Sequence, residues 1–401
     1  AFQFPPMSLE VNKLTKTYGS QKALDEVSFV AEKGEVLGFL GPNGAGKSTT
    51  MKIATGFILP DQGDVLVNGL SVLQNPKEVS RLVGYLPEHN PLYHDMYIRE
   101  FLDFVGGLYG LKGNFLKNRI EELIPLCGLE VEAHKKISQL SKGYRQRVGL
   151  AKALIHDPEV IILDEPTTGV DPVSRREFWD ILATLAREGI TIVVATPYLD
   201  EAERCHRIAL MYEGQIHEIG TLSQLRQRLG LQRLEIRSPD IAATAEKILL
   251  LVDGQNINDV QLFGDRLDVL TGNPQQATRI IQNAIDHLSA IHPSEATLEN
   301  VFVTRLRQQG SDPPFIPLPK FKSETITTGI AIDARDLRKT FANFCAVKGV
   351  TLTIDYGEIY GLLGANGAGK TTTIKMLCGL LSASDGQISL AGCSQDLRNP
   401  S

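Results

Sequence analysis

The chain alternates two kinds of apolar pattern. EVLGFL at 35–40, VIILD at 160–164 and TIVVAT at 191–196 are short apolar runs bounded by turn residues, as strands buried on both faces read. Between them lie longer stretches with apolar residues at helical spacing, such as REFWDILATLARE at 176–188. The alternation predicts an α/β layer of parallel strands, with ligands at their carboxyl ends, over 7–225. From 231 to 307 the pattern changes. LQRLEIRS reads as a strand, IAATAEKILLLV as a helix, DVQLFGDRLDVLT as a hairpin turned at Gly264-Asp265, and QQATRIIQNAIDHL as a second helix. Their sum is a small α+β accessory domain. The prolines of QQGSDPPFIPLPKFKSE then predict an extended linker over 308–328.

From Ala331 the first pattern returns. An offset of 323 residues places TKTYG (15–19) on RKTFA (338–342), KGEVLGFLG (33–41) on YGEIYGLLG (356–364), and VNG (67–69) on LAG (390–392). The match runs ungapped for about 80 residues, so one domain type is used twice, unlike a short solenoid repeat. The second copy, 331–401, reads as the N-terminal part of such a domain. In the first copy 117 positions separate Lys47 from Asp164, whereas only 31 residues follow Lys370. No second carboxylate-bearing strand is present, so the chain reads as a fragment or truncated product whose second apolar layer lacks a partner.

Composition narrows the class. A length of 401 residues allows two or three domains, and 42% hydrophobic with 22% charged residues is ordinary for a globular chain. Net charge is −6 with scattered Lys and Arg, which argues against a nucleic-acid footprint. Apolar runs such as ILLLV at 248–252 fall far short of the roughly 20 residues a membrane span needs. AFQFPP is too short for a secretory leader, and Met7 is a candidate start. Cys127, Cys205, Cys345, Cys378 and Cys393 are odd in number and form no C-x-x-C, so reduced thiols and a cytosolic compartment are expected.

The chemistry concentrates in three stretches. GPNGAGKS at 41–48 fits G-x-x-x-x-G-K-[ST] between a predicted strand and helix. Gly41, Pro42, Asn43, Gly44, Ala45 and Gly46 would curl backbone N–H groups around an anion, ahead of Thr49. Lys47 would reach the terminal phosphates, and the Ser48 hydroxyl would ligate Mg²⁺. The second loop, Gly364, Ala365, Asn366, Gly367, Ala368, Gly369, Lys370, Thr371 and Thr372, belongs to a decapeptide matching 41–50 at eight of ten places. Thr371 takes the metal-binding place there. Two copies in equivalent settings point to ATP or GTP. VIILDEP ends a hydrophobic strand in two carboxylates: Asp164 to hold the metal and Glu165 to orient and polarise water. ISQLSKGYRQRVGLAKAL at 137–154 places Ser141 at a helix start and Gly143 where backbone can approach closely; alone it reads as a capped helix.

Together the phosphate loop, LSKGYRQR, VIILDEPTTGVDP and Tyr18 resemble the ATP-binding subunits of ABC transporters, in particular those of ABC-2-type exporters with two fused ATP-binding domains. The likeness covers nearly the whole chain, through TLENVF at 297–302. It implies an α/β P-loop ABC ATPase fold with a helical subdomain, and ATP with Mg²⁺ as cofactors. Tyr18, and Phe341 in the second copy, would stack on adenine. Ser141, Lys142, Gly143 and Tyr144 stand in the signature usually read Leu-Ser-Gly-Gly-Gln; Ser141 and Gly143 would contact ATP held by the opposite domain. Gly169, Val170 and Asp171 would form the loop coupling the two sites. Glu88 replaces the usual Gln as metal-linked sensor, joining Ser48, Asp164 and Thr371 as metal-binding positions.

Residues 97–110 would receive a coupling helix from a separate membrane permease, although an amphipathic core helix reads the same way. Where the family usually carries His, this chain has Pro197, which has no N–H to donate. The site built on Lys47 and Glu165 is therefore expected to bind ATP but turn over slowly. The complementary site, Lys370 with Ser141 and Gly143, would carry most turnover. The implied role is multidrug-type export, peripheral on the cytoplasmic face of the membrane, with ATP-binding domains paired within or between chains and no nucleic acid partner. A soluble tandem ABC ATPase of translation or DNA repair is the alternative; such proteins usually join their halves by a basic helical linker, coiled coils or zinc sites.

Overall fold

A computed structural model describes residues 7–264, 266–285, 290–308, 329–364 and 367–394. The chain divides into two compact units, residues 1–168 with 177–314, and residues 169–176 with 315–401.

In the first unit the expected parallel layer is a six-stranded sheet. Its order is Gln215–Gly220, Arg207–Tyr212, Val36–Leu40, Thr191–Thr196, Val160–Asp164, Val83–Leu86. All neighbours run parallel except the first pair. The strands Val36–Leu40, Val160–Asp164 and Thr191–Thr196 are buried at every residue, which is why their sequences are unbroken apolar runs. A second, antiparallel sheet pairs Met7–Tyr18 with Gln21–Glu32 and Gln62–Val67. Alternation does the sorting there: Val27, Phe29 and Ala31 are buried, whereas Glu26, Ser28 and Glu32 are exposed. The inner faces of the two sheets share one core, including Leu9, Val11, Leu37 and Phe39.

A helical region completes this lobe. The helices Ile98–Leu108, Gly113–Leu126 and Lys142–Leu154 pack Phe101, Leu102, Ile120, Leu123, Val148 and Leu154 into another core. No helix among the described residues is long and apolar enough to cross a membrane.

Residues 232–308 form a four-stranded antiparallel sheet in the order Asp259–Phe263, Arg266–Thr271, Gln232–Arg237, Ala290–Glu295. The expected strand, first helix and hairpin are present; Asp265 of the turn lies outside the described residues. The second helix spans Pro274–Ala284, and the remainder of the stretch expected for it runs into 286–289, also outside them. The strand Ala290–Glu295 and the helix Leu298–Gln308 are additions to the expected set. AIHPSE hides its strand because it holds a proline; Pro293 is tolerated on an edge strand, where one side of the backbone needs no ladder partner. The helix starts where the Thr297 hydroxyl accepts the Asn300 N–H at 3.1 Å.

Period-two alternation gives this sheet two faces. Leu267 and Val269 join Ala277 and Ile281 on one side. Asp268 and Leu270 face the other way, where Leu270 packs with Leu298 and Val301. That cluster also contains Leu40, Ile208 and Leu210, from the parallel sheet.

In the second unit the 323-residue offset persists at the level of hydrogen bonding. Leu9↔Val67 and Val11↔Val65 recur as Ile332↔Leu390 and Ala334↔Ile388. The helix Lys47–Ala54 recurs as Lys370–Leu377. One element does not recur. EIYGLL, equivalent to EVLGFL, forms no strand, and its Ile359 and Leu363 are 99% and 93% exposed. In the first copy the equivalent segment is held by strands on both sides. Among the described residues of the second unit, no such neighbours exist, so apolar sequence alone leaves the segment unpaired. The linker expected over 308–328 lies, from 309 onward, outside the described residues, as do Ala365 and Asn366.

Candidate functional site

Parallel pairing aligns the strand ends. Leu40 is level with Thr196, Asp164 with Ala195, and Leu86 with Leu163. The residues that follow, including Gly41, Glu165 and Pro197, therefore emerge along one edge, at the carboxyl ends where ligands bind in such sheets.

The phosphate loop leads directly into the helix Lys47–Ala54, whose N-cap Gly46 has a left-handed φ of 103° and supplies no side-chain cap. The first-turn N–H groups are thus left for a ligand, and the helix dipole adds positive character. Lys47 is 4% exposed, and its ammonium donates to the carbonyls of Gly41 (2.8 Å) and Pro42 (3.0 Å). Burial pushes its pKa down, opposed by the charges of Glu165 and Asp164. The loop, its helix and the neighbouring strands enclose a cavity of about 370 Å³.

Of the first-copy residues singled out above, Tyr18, Asn43, Gly44, Gly46, Lys47, Ser48, Thr49, Glu88 and Glu165 line that cavity. Gln21 and Ala23 line it too, without having been foreseen. Tyr18 follows a residue tied down by Asp61, which accepts the Thr17 N–H at 2.7 Å and the Lys16 ammonium at 2.8 Å. Asp164 does not line the cavity; it is 2% exposed and reaches the site through Ser48, whose hydroxyl donates to its Oδ1 at 3.0 Å. Glu165 has a left-handed φ of 48°, its N–H donates to the Ala195 carbonyl, and its Oε2 accepts the Thr168 hydroxyl at 3.0 Å.

Burial raises the pKa of Asp164; the Ser48 hydrogen bond opposes the shift, and the charges of Glu165 and Glu88 add to it. A carboxyl raised in the folded state weakens the fold above its unfolded pKa and is neutral in effect at lower pH, where both states are protonated. Asp164→Asn keeps the acceptor for Ser48 and leaves Glu165 as the main counter-charge of Lys47. Without nucleotide, this variant should melt about 2–4 °C higher at pH 7, the gain fading below about pH 4 in a calorimetric series.

The remaining expected residues are arranged as follows. Ser141 caps the helix Lys142–Leu154, accepting the Tyr144 N–H at 3.3 Å; Ser141 and Lys142 are exposed, Gly143 is buried, and none of the four lines the cavity. Gly169 has φ 69°, and Asp171 accepts the Ser174 N–H at 3.0 Å, which holds its pKa low. In the second loop Lys370 donates to the Gly364 carbonyl at 2.6 Å, repeating Lys47. Gly367 and Gly369 keep the left-handed angles of Gly44 and Gly46, and Lys339 lies over the Phe341 ring as Lys16 does over Tyr18. Ala368, Thr372 and Thr371 complete the turn, but Thr371 finds no carboxylate among the described residues.

Glu201 escaped the sequence reading. It is 1% exposed and accepts both the Thr167 hydroxyl and, at 2.7 Å, the Thr196 hydroxyl. It thereby ties the segment after Glu165 to the one before Pro197. Its only signal was an acidic residue in a short helix just past a buried strand.

A parallel layer with a glycine loop at one strand end and adjacent carboxylates at another defines a P-loop nucleotide-binding protein. The family model described as ABC transporter matches residues 24–168 and 347–399. The probable multidrug ABC transporter ATP-binding protein YbhF of Escherichia coli is 32% identical over 397 residues, covering 98% of this chain and 68% of that protein. Nod factor export ATP-binding protein I of Paraburkholderia xenovorans is 35% identical over 301 residues, 75% of this chain and 97% of that one. A solved ATP-binding subunit of an ABC transporter superposes with TM-score 0.51 at 32% identity, covering 55% of this chain and 93% of its own. This chain belongs to the ABC transporter ATP-binding family, and with that membership come ATP binding and hydrolysis.

Proposed function

We propose that this chain is the ATP-hydrolysing subunit of an ABC-2-type exporter and drives a separate membrane permease. The observation that carries the reading is the convergence of Lys47, Ser48, Asp164 and Glu165 at aligned strand ends, with Ser48 and Asp164 already 3.0 Å apart. The name of the Paraburkholderia relative, a Nod factor export protein, supports the direction of transport, and that of the Escherichia coli relative its multidrug character. We assign 7–225 and 331–401 as a complete and a partial ATP-binding domain, 231–307 as the accessory domain between them, and 308–328 as a linker.

The donor set fits Mg·ATP. Ser48, Asp164 and Glu88 offer hard oxygen atoms, which suit Mg²⁺, and a Cβ on Gly44 would project into open space where the loop faces the cavity. Mg·ATP, when bound, supplies the phosphoryl group and neutralises its developing charge. The chain's own parts act around it. Tyr18 stacks the base, the loop N–H groups and Lys47 hold phosphate oxygens, and Glu165 orients and polarises water. Ser141 and Gly143 serve the nucleotide of a facing domain, and Gly169 with Asp171 couples the paired sites.

Pro197 leaves the first site without the side chain that usually holds the γ-phosphate. Thr196 turns its hydroxyl to Glu201 and the Tyr198 N–H, so that hydroxyl does not take its place. The first site is then the slow one. In the intact assembly with its permease, Lys370→Ala should lower ATPase activity much further than Glu165→Gln; equal losses would refute the asymmetry. The permease docks on the groove beside the helix Ile98–Leu108, a cavity of about 690 Å³ where Tyr93, Phe104 and Leu108 stand exposed. A coupling helix laid there would bury these side chains.

A further inference from the structure

The groove beside Ile98–Leu108 is lined mostly by apolar and aromatic side chains, with few polar ones. Its lining holds one charged side chain, Lys152, and no acidic one. Lys152, on the helix Lys142–Leu154, makes no hydrogen bond or ion pair with any described residue. Partial burial depresses its pKa, and no nearby charge opposes the shift. Two neighbouring side chains carry a polar atom that is buried and unpaired. The buried hydroxyl of Tyr85, also in the lining, has no partner. His156 is stacked on the lining residue Tyr109 at 3.9 Å and bonds the Val83 carbonyl through Nε2, and its Nδ1 is buried and unpaired. Buried polar atoms without partners are rare and costly, and two of them, the Tyr85 hydroxyl and His156 Nδ1, lie at or behind the wall of a groove whose one charged group is Lys152.

A lysine extending its head to solvent along an apolar wall explains part of this. It does not explain the Tyr85 hydroxyl, which cannot reach water, nor the absence of any acid from the whole lining. We propose that the segment seated in this groove is an amphipathic helix bearing a carboxylate side chain that pairs with Lys152, so that charge, as well as apolar shape, selects the permease. The inference rests on the groove being the permease's seat. Burial raises the pKa of the Tyr85 hydroxyl, and the charges of Asp164 and Glu88, two of the residues assigned to the nucleotide site, add to the shift.

Two fluorescent amphipathic helical peptides of about 15 residues test this, alike except for a single central Glu in one and Gln in the other. Fluorescence anisotropy against the whole chain should show the Glu peptide binding about tenfold more tightly. Lys152→Met should erase the preference and Lys152→Arg retain it, with melting temperature confirming that both variants fold. Equal binding of the two peptides to the unaltered chain overturns the acidic partner while leaving the seat in place. Failure of both to bind, or binding indifferent to Phe104→Asp, overturns the seat and the proposal with it.

Discussion

With Lys47 and Lys370 both replaced by alanine, Mg·ATP affinity should fall by about two to three orders of magnitude in a fluorescent-nucleotide titration. Removing one side of a buried, hydrogen-bonded charge pair costs about 2–5 kcal/mol, and phosphate has no other lysine in either loop. Lys47 is already desolvated and held against the Gly41 and Pro42 carbonyls, so it is positioned before the ligand arrives. Lys370 repeats that posture. The single Lys47→Ala variant should lose one class of binding and retain the other, which the stoichiometry would report. Retention of full affinity by the double variant would remove the phosphate loops from the function altogether.

Gly46→Ala should be nearly as damaging, and through the fold. At φ 103° an added Cβ would lie 2.6 Å from the Ala23 carbonyl oxygen and 2.8 Å from side-chain atoms of Leu24 and Met211. The left-handed backbone costs about 1–3 kcal/mol for a non-glycine residue, and overpacking a filled core costs a similar amount. The sum, about 2–6 kcal/mol, is a large share of a domain's stability. Denaturant titration should show a midpoint well below that of the unaltered chain, with nucleotide binding lost at ambient temperature. By contrast, Gly44→Ala adds its Cβ to open space, and the strain of φ 83° is its main penalty.

The legible parts of the chain were those whose physics is local. Strands buried on both faces show as apolar runs, and a loop needing several unusual φ angles shows as glycines, so VIILD and GPNGAGKS could be placed without coordinates. Whatever depends on distant partners was hidden. Pro293 argues against a strand until the sheet is seen to end there. Glu201 looks like any surface acid until Thr167 and Thr196 are brought to it. EIYGLL carries the pattern of EVLGFL yet stays unpaired, because a strand is a property of its neighbours as well as of itself. Lys152 reads as part of an ordinary amphipathic helix; only the groove's lining shows that it stands alone.

Leu40, the last residue before the phosphate loop, belongs to the same cluster as Leu298 and Val301 near the C-terminal end of the mixed sheet domain. A close-packed interior is stiff and passes displacement from one wall to another. The two lobes are therefore geared together: neither can be pried loose without disturbing the hinge of the nucleotide clasp, and heat should melt them as a single body.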